Sequence, residues 1–105
     1  MKRLKIDTSN NKLITVQLEN NGKLLEEISS DSKILKSQAV LPLIDKLLKN
    51  NHLELSDLEE ITVFEGPGSF TGLRVGVSIA NALGFLLQIP VNNKKVGELV
   101  SPVYN

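Results

Sequence analysis

The residues that could do chemistry gather in two short stretches. Residues 66–76 read Gly-Pro-Gly-Ser-Phe-Thr-Gly-Leu-Arg-Val-Gly and directly follow the apolar run Ile61-Thr62-Val63-Phe64. Gly66, Pro67 and Gly68 punctuate a turn. Ser69 is a good N-cap, because its hydroxyl can satisfy an orphan N–H of the first helical turn. The segment therefore reads as strand, glycine loop and helix N-terminus, a geometry that aims backbone N–H groups and a positive dipole end at whatever lies in front. The second stretch is Asp7-Thr8-Ser9, at the end of a short first strand. Asp7 reads as a capping residue at a strand end. None of Thr8, Ser9 and Ser69 has a histidine partner that would make it a nucleophile.

Familiar phosphate signatures do not fit. A P-loop needs Gly-Lys-Ser/Thr so that a lysine reaches the phosphates, whereas here Gly72 is followed by Leu73. A dinucleotide fingerprint needs Gly-x-Gly-x-x-Gly. Gly66 and Gly68 satisfy its start, but Thr71 stands at the third position. No catalytic residue is expected in this chain.

The helix after the loop carries a separate signal. Gly72, Gly76, Ala80 and Gly84 recur every four residues, hence on one helical face. Each helical glycine costs roughly 1 kcal/mol relative to alanine, so something must offset three of them. A stripe of small residues allows another backbone to approach closely. That backbone belongs either to this protein's own sheet and first helix or to a partner.

Composition narrows the function classes. At 105 residues the chain makes one small domain with a modest stability margin. A net charge of zero argues against an autonomous nucleic-acid binder. With no cysteine and one histidine, His52, neither a structural zinc site nor a thiol nucleophile is available. His52 follows Asn50 and Asn51 just past a predicted helix and reads as a solvated loop residue. Polar residues interrupt the uncharged stretch Val75–Asn93, so it reads as a buried helix rather than a membrane span. No metal site is expected, and the protein is expected to be cytoplasmic.

These stretches must be positioned by a β-β-β-α-β-α order. Leu4–Ile6 is a short strand. Leu13–Leu18 alternates, with Ile14, Val16 and Leu18 on one face. Asn20-Asn21-Gly22 is a strong hairpin turn, and Lys23–Ile28 the return strand. Ile34–Asn50 reads as a helix with an apolar stripe including Leu41, Ile44 and Leu48, kinked by Pro42. Ser56–Glu60 is a capped single turn, Ile61–Phe64 the fourth strand, and Ser69–Gln88 the second long helix. The fourth strand should lie parallel to the first after a right-handed crossover. The sheet should be mixed, with five strands at most and both helices on one side.

Three blocks carry a family resemblance: Ile6-Asp7-Thr8-Ser9, Leu41-Pro42-Leu43-Ile44-Asp45 and Gly66 to Gly76. With Ser56-Asp57-Leu58 and Ile89-Pro90, the chain resembles the TsaB family over residues 4–91. These are bacterial accessory proteins of tRNA threonylcarbamoyladenosine synthesis. The resemblance implies an α/β fold, a single actin-like ATPase (ribonuclease H-like) lobe over residues 1–91. Residues 92–105 then form a tail, in which Pro102-Val103-Tyr104 resembles the family's extreme C-terminus. The family usually has two such lobes, which suggests an internal deletion here. Lys36 stands where the family often has histidine and Asn81 where it often has lysine. Phe64 and Glu65 also depart from the residues usual before the glycine loop.

What the resemblance implies about function is specific. The chain would be a non-catalytic scaffold that pairs, helix against helix, with a TsaD-like protein modifying adenosine 37 of tRNA. The contact residues would be Leu41, Ile44 and Leu48 on the first helix and Gly72, Leu73, Gly76, Val77, Ala80 and Gly84 on the second. Gly66, Pro67, Gly68 and Ser69 would form the glycine loop, and Asp7, Thr8 and Ser9 a degenerate phosphate loop, in which the resemblance would make Asp7 a surviving metal-proximal carboxylate, although we prefer the cap. ATP and a metal would reside in the partner and not in this chain. A TsaE-like ATPase and a homodimer of the free chain are further associations the resemblance admits. It implies only indirect contact with tRNA and none with a membrane. Two alternatives stay open: a nucleotide-binding half-domain completed by another chain, and a homodimeric interaction module.

Overall fold

The computed structural model describes residues 1–10, 13–31, 36–68 and 70–103, with backbone alone at 36, 37 and 70. The elements run β1 (Lys2–Asp7), β2 (Leu13–Asn20), β3 (Lys23–Asp31), α1 (Lys36–Asn50), a 3₁₀ turn (Leu55–Asp57), β4 (Glu60–Val63) and α2 (Phe70–Leu87). The sheet order is β3-β2-β1-β4. β1, β2 and β3 pair antiparallel, and β4 lies parallel to β1. A parallel neighbour needs a crossover, and α1 supplies it.

Hydrophobic alternation decides which face is covered. Leu4 and Ile6 of β1 sit opposite Leu18 and Val16 of β2 and beside Ile61 and Val63 of β4. All six are buried, with Ile14, in one cluster that also takes in Val40, Ile44 and Leu47 of α1 and Val77, Ala80 and Leu83 of α2. The other face is polar and cross-paired. Arg3 reaches Glu19 at 3.4 Å and also Glu60, Lys5 lies 3.6 Å from Glu19, and Thr15 Oγ1 is 3.1 Å from Ser29 Oγ. Both helices therefore pack on one side, α1 over β2 and β3 and α2 over β4 and β1, touching each other.

Several boundaries differ from the expected ones for local reasons. Asn21 (φ 54°) and Gly22 (φ 80°) make the two-residue turn, but β3 continues to Asp31 because its polar end pairs along β2. The helix α1 runs unbroken through the exposed Pro42. The 3₁₀ turn begins at Leu55 rather than Ser56, with Asp57 Oδ2 accepting the Glu54 N–H at 2.8 Å. Both helices end on a left-handed residue that is not glycine, His52 (φ 58°) and Gln88 (φ 57°). The next N–H then closes the terminus, Leu53 to Leu48 O at 2.9 Å and Ile89 to Gly84 O at 3.0 Å.

Among the described residues, the outer edge of β4 is finished without a fifth strand. Ile61 pairs with Val91 alone, through Ile61 N–H to Pro90 O at 3.0 Å and Asn92 N–H to Ile61 O at 2.9 Å. Asn92 (φ 52°) then turns the chain away. Its side-chain amide continues the ladder, with Oδ1 accepting Val63 N–H at 2.8 Å and Nδ2 donating to Val63 O at 3.0 Å. From here residues 92–103 run back as a strap beside α2. Val100 is buried in the main cluster. Asn81 holds it from the helix: Val100 N–H donates to Asn81 Oδ1 at 3.0 Å, and Asn81 Nδ2 donates to Val100 O at 2.9 Å. Among the described residues, no helix is long and apolar enough to cross a membrane.

Candidate partner-docking site

The two chemically suggestive loops meet in the fold, and their groups are used internally. Asp7 Oδ1 accepts both the Ser9 N–H at 2.9 Å and the Ser9 hydroxyl at 2.6 Å. This is the capping arrangement of a chain leaving a strand. Thr8 is fully buried. Its hydroxyl donates to Gly72 O at 2.5 Å and accepts the Gly76 N–H at 3.1 Å. Gly72 and Gly76 are i and i+4 on α2, so β1 is fastened to the helix through one helical repeat.

The same contact explains the glycines. A Cβ on Gly76 would lie 2.5 Å from Thr8 Oγ1, and one on Gly84 2.5 Å from Val91 Cγ2. The small-residue stripe thus lets this protein's own β1 and Pro90–Val91 segment approach α2. Gly66 (φ 121°) is required for another close approach, since a Cβ there would collide with the Val103 carbonyl oxygen. Val103 N–H donates to Glu65 O at 2.6 Å, so the strap ends on the glycine loop. Gly68 faces Ser9, with 3.3 Å between its Cβ position and Ser9 Cβ. Pro67 follows a cis peptide bond. Ser69, the expected N-cap, lies outside the described residues.

The expected contact set needs correction. Ile44, Leu48, Gly72, Leu73, Gly76, Val77, Ala80 and Gly84 are all buried within this chain, so their side chains cannot form a surface. Spacing gave the right face of each helix for close packing, but that packing is internal. Of the nine, Leu41 remains outside, 49% exposed. The residues that do face outward were missed. On α2 they are Thr71, Arg74, Ser78, Ala82, Phe85 and Leu86, and Phe85 and Leu86 are 69% and 71% exposed. Their signal was available, because positions 71, 78, 82 and 85 share a helical face and two large apolar residues near a helix end are unusual on a solvated one.

A concavity lies on the polar sheet face. It is an open hollow of about 830 Å³ bordered by Lys5, Asp7, Gln17, Thr62, Phe64 and Asn92 among others. Asn92, Gln17 and Lys5 are engaged with neighbouring side chains or backbone. The described residues hold no group of three or more His, Cys, Asp or Glu that could bind a metal. Asp7 Oδ1 and the Thr8 hydroxyl are internally bonded, and the strap lies on Gly66.

Comparison with known proteins places this geometry. The family model described as "TsaD: tRNA N6-adenosine threonylcarbamoyltransferase" matches residues 23–93, from β3 through α2. The tRNA threonylcarbamoyladenosine biosynthesis protein TsaB of Bacillus subtilis is 33% identical over 113 aligned positions, covering 97% of this chain and 49% of that one. The chain spans about half the length of that curated relative. Among solved structures, YeaZ from Pseudomonas aeruginosa superposes with a TM-score of 0.79 at 32% identity, over 90% of this chain and 43% of YeaZ. A Bacteroides thetaiotaomicron protein with an actin-like ATPase fold and unknown function gives 0.56 at 14% identity, covering 88% of this chain and 32% of that one. The fold is therefore one actin-like lobe, and the chain belongs to the family that the TsaD model describes, on its TsaB side.

Proposed function

We propose that this chain is a non-catalytic docking subunit of the tRNA threonylcarbamoylation machinery, and that its partner is a TsaD-like protein. The observation that carries the reading is the match of a TsaD model to β3 through α2. A partner built from the same lobe presents the same helix pair. Two like helical layers can then face one another about a local twofold axis. Leu41 on α1 and Ser78, Ala82, Phe85 and Leu86 on α2 give this chain apolar or small outward positions, flanked by the exposed Thr71 and Arg74 of α2 and Asp45, Lys46 and Lys49 of α1. Desolvated aromatic anchors of the Phe85 kind carry much of the energy of such contacts.

Internal use of the Asp7 and Thr8 side chains supports an accessory rather than a catalytic role. ATP and metal then belong to the partner, and tRNA is met through it. Depleting the protein in its native cell and measuring threonylcarbamoyladenosine in tRNA by mass spectrometry tests the reading. Modification should fall, and should be restored by the wild-type chain but not by Phe85→Asp. Unchanged modification on depletion contradicts it.

A further inference from the structure

The β2–β3 hairpin turns on Asn21 and Gly22, and Asn21 is the one asparagine of the chain that is followed by glycine. The turn stands clear of the core. Residues 21–25 are all exposed, and a Cβ on Gly22 would meet nothing within 4 Å. Two residue pairs, Asn20 with Lys23 and Glu19 with Leu24, close the hairpin between the turn and a register shift that leaves Leu25 out of the pairing. The buried cluster ends on β2 at Leu18. The tip can therefore part from the sheet without disturbing the core. The Asn21 amide is contacted through Oδ1 by the exposed Met1 amino group. Asn81 and Asn92, by contrast, are bonded into the fold through both ends of their amides.

We propose that this turn is a site of spontaneous covalent modification, at which Asn21 becomes aspartate or isoaspartate with water as the co-reactant. The backbone nitrogen of Gly22 gives up its proton to hydroxide and attacks Asn21 Cγ. The new N–Cγ bond closes a cyclic imide. The Cγ–Nδ2 bond breaks, and Nδ2 takes a proton from water and leaves as ammonia. Water then opens the imide at one of its two carbonyls. Cleavage of the N–Cγ bond gives aspartate. Cleavage between nitrogen and the main-chain carbonyl gives isoaspartate, whose chain runs through Cβ and Cγ. Glycine suits the step because no Cβ crowds the attacking nitrogen. Ring closure swings the peptide out of a turn held at φ 54° and 80°, so the reaction follows opening of the tip. Either product adds a negative charge to a chain of zero formal net charge. Aspartate tolerates the left-handed backbone and keeps the turn. Isoaspartate lengthens a turn whose length fixes the strand register, and so loosens β3.

The test incubates the complete chain at neutral pH and maps its asparagines by peptide mass spectrometry. Methyl transfer from S-adenosylmethionine by a protein-isoaspartate methyltransferase reports isoaspartate. Asn21 should convert before any other asparagine. Urea kept below the unfolding transition should leave its rate nearly unchanged, because opening the tip exposes little surface. Gly22→Asn keeps a residue that accepts positive φ but sets a Cβ beside the nitrogen, and should slow conversion of Asn21 several-fold. The isolated isoaspartyl form should melt below Asn21→Asp, which should melt with the wild type. Conversion of another asparagine first, or of Asn21 only in step with global unfolding, overturns the site. Equal rates in wild type and Gly22→Asn overturn the attack by the Gly22 nitrogen. An isoaspartyl form that melts with Asn21→Asp overturns the loosening of β3.

Discussion

Thr8 shows how a residue can sit in a chemically suggestive motif and serve the fold. Its hydroxyl lies between Gly72 O and Gly76 N–H, in space that only glycine at 76 leaves open. Gly76→Ala should therefore destabilise the protein although alanine favours helix. The helical gain is about 1 kcal/mol, whereas overpacking against a fixed buried neighbour costs about 1–3 kcal/mol. Gly76→Leu should cost more. Thr8→Ala makes room at the same point, so the double variant should lose less than the sum of the single ones. Urea denaturation of the four proteins measures that coupling, and simple additivity would contradict the contact. A second change should act in the opposite direction. His52 holds a left-handed conformation at the end of α1 while exposed, so His52→Gly should stabilise by roughly 0.5–1 kcal/mol. A fall in the urea midpoint would count against the assigned helix end. The sequence marked His52 as a solvated residue past a helix, which it is. Its left-handed backbone was not legible, because glycine or asparagine is the usual sign.

At the scale of elements, the periodic parts were legible and the compensating parts were not. Alternation placed Ile14, Val16 and Leu18 on the buried face, and Asn20-Asn21-Gly22 set the hairpin. The four-residue stripe on α2 marked a close approach but not whose backbone approaches, since spacing carries no information about the neighbour. Nor does any local pattern announce that Asn92 replaces a strand with a side chain, or that Asn81 reaches a segment 19 residues away. Asn92→Ala tests the first of these. It removes both bonds to Val63 and the 3.1 Å bond to Glu65. Leaving the Val63 groups unpaired should cost about 1–3 kcal/mol, or a fall of at least about 4 °C in melting temperature for a domain of this size. Asn92→Gly keeps the backbone turn without the amide and should fall nearly as far. Full stability in both variants would show that water replaces the amide at that edge.

At the scale of the molecule, the lobe has one face covered by two helices and a strap, and another that is polar and cross-paired. Because the Asp7 and Thr8 side chains are bonded internally and the strap rests on Gly66, the isolated chain should not bind ATP with magnesium. Calorimetry should give no saturable heat, and one-to-one micromolar binding would revive the half-site alternative. The docking claim is tested most directly by mixing the purified chain with the purified TsaD-like protein and weighing the product by light scattering, with wild type and Phe85→Asp side by side. The account predicts a stoichiometric complex with the wild type and none with the variant, both chains melting at the same temperature. No complex with the wild type, or a complex that Phe85→Asp leaves intact, would contradict it.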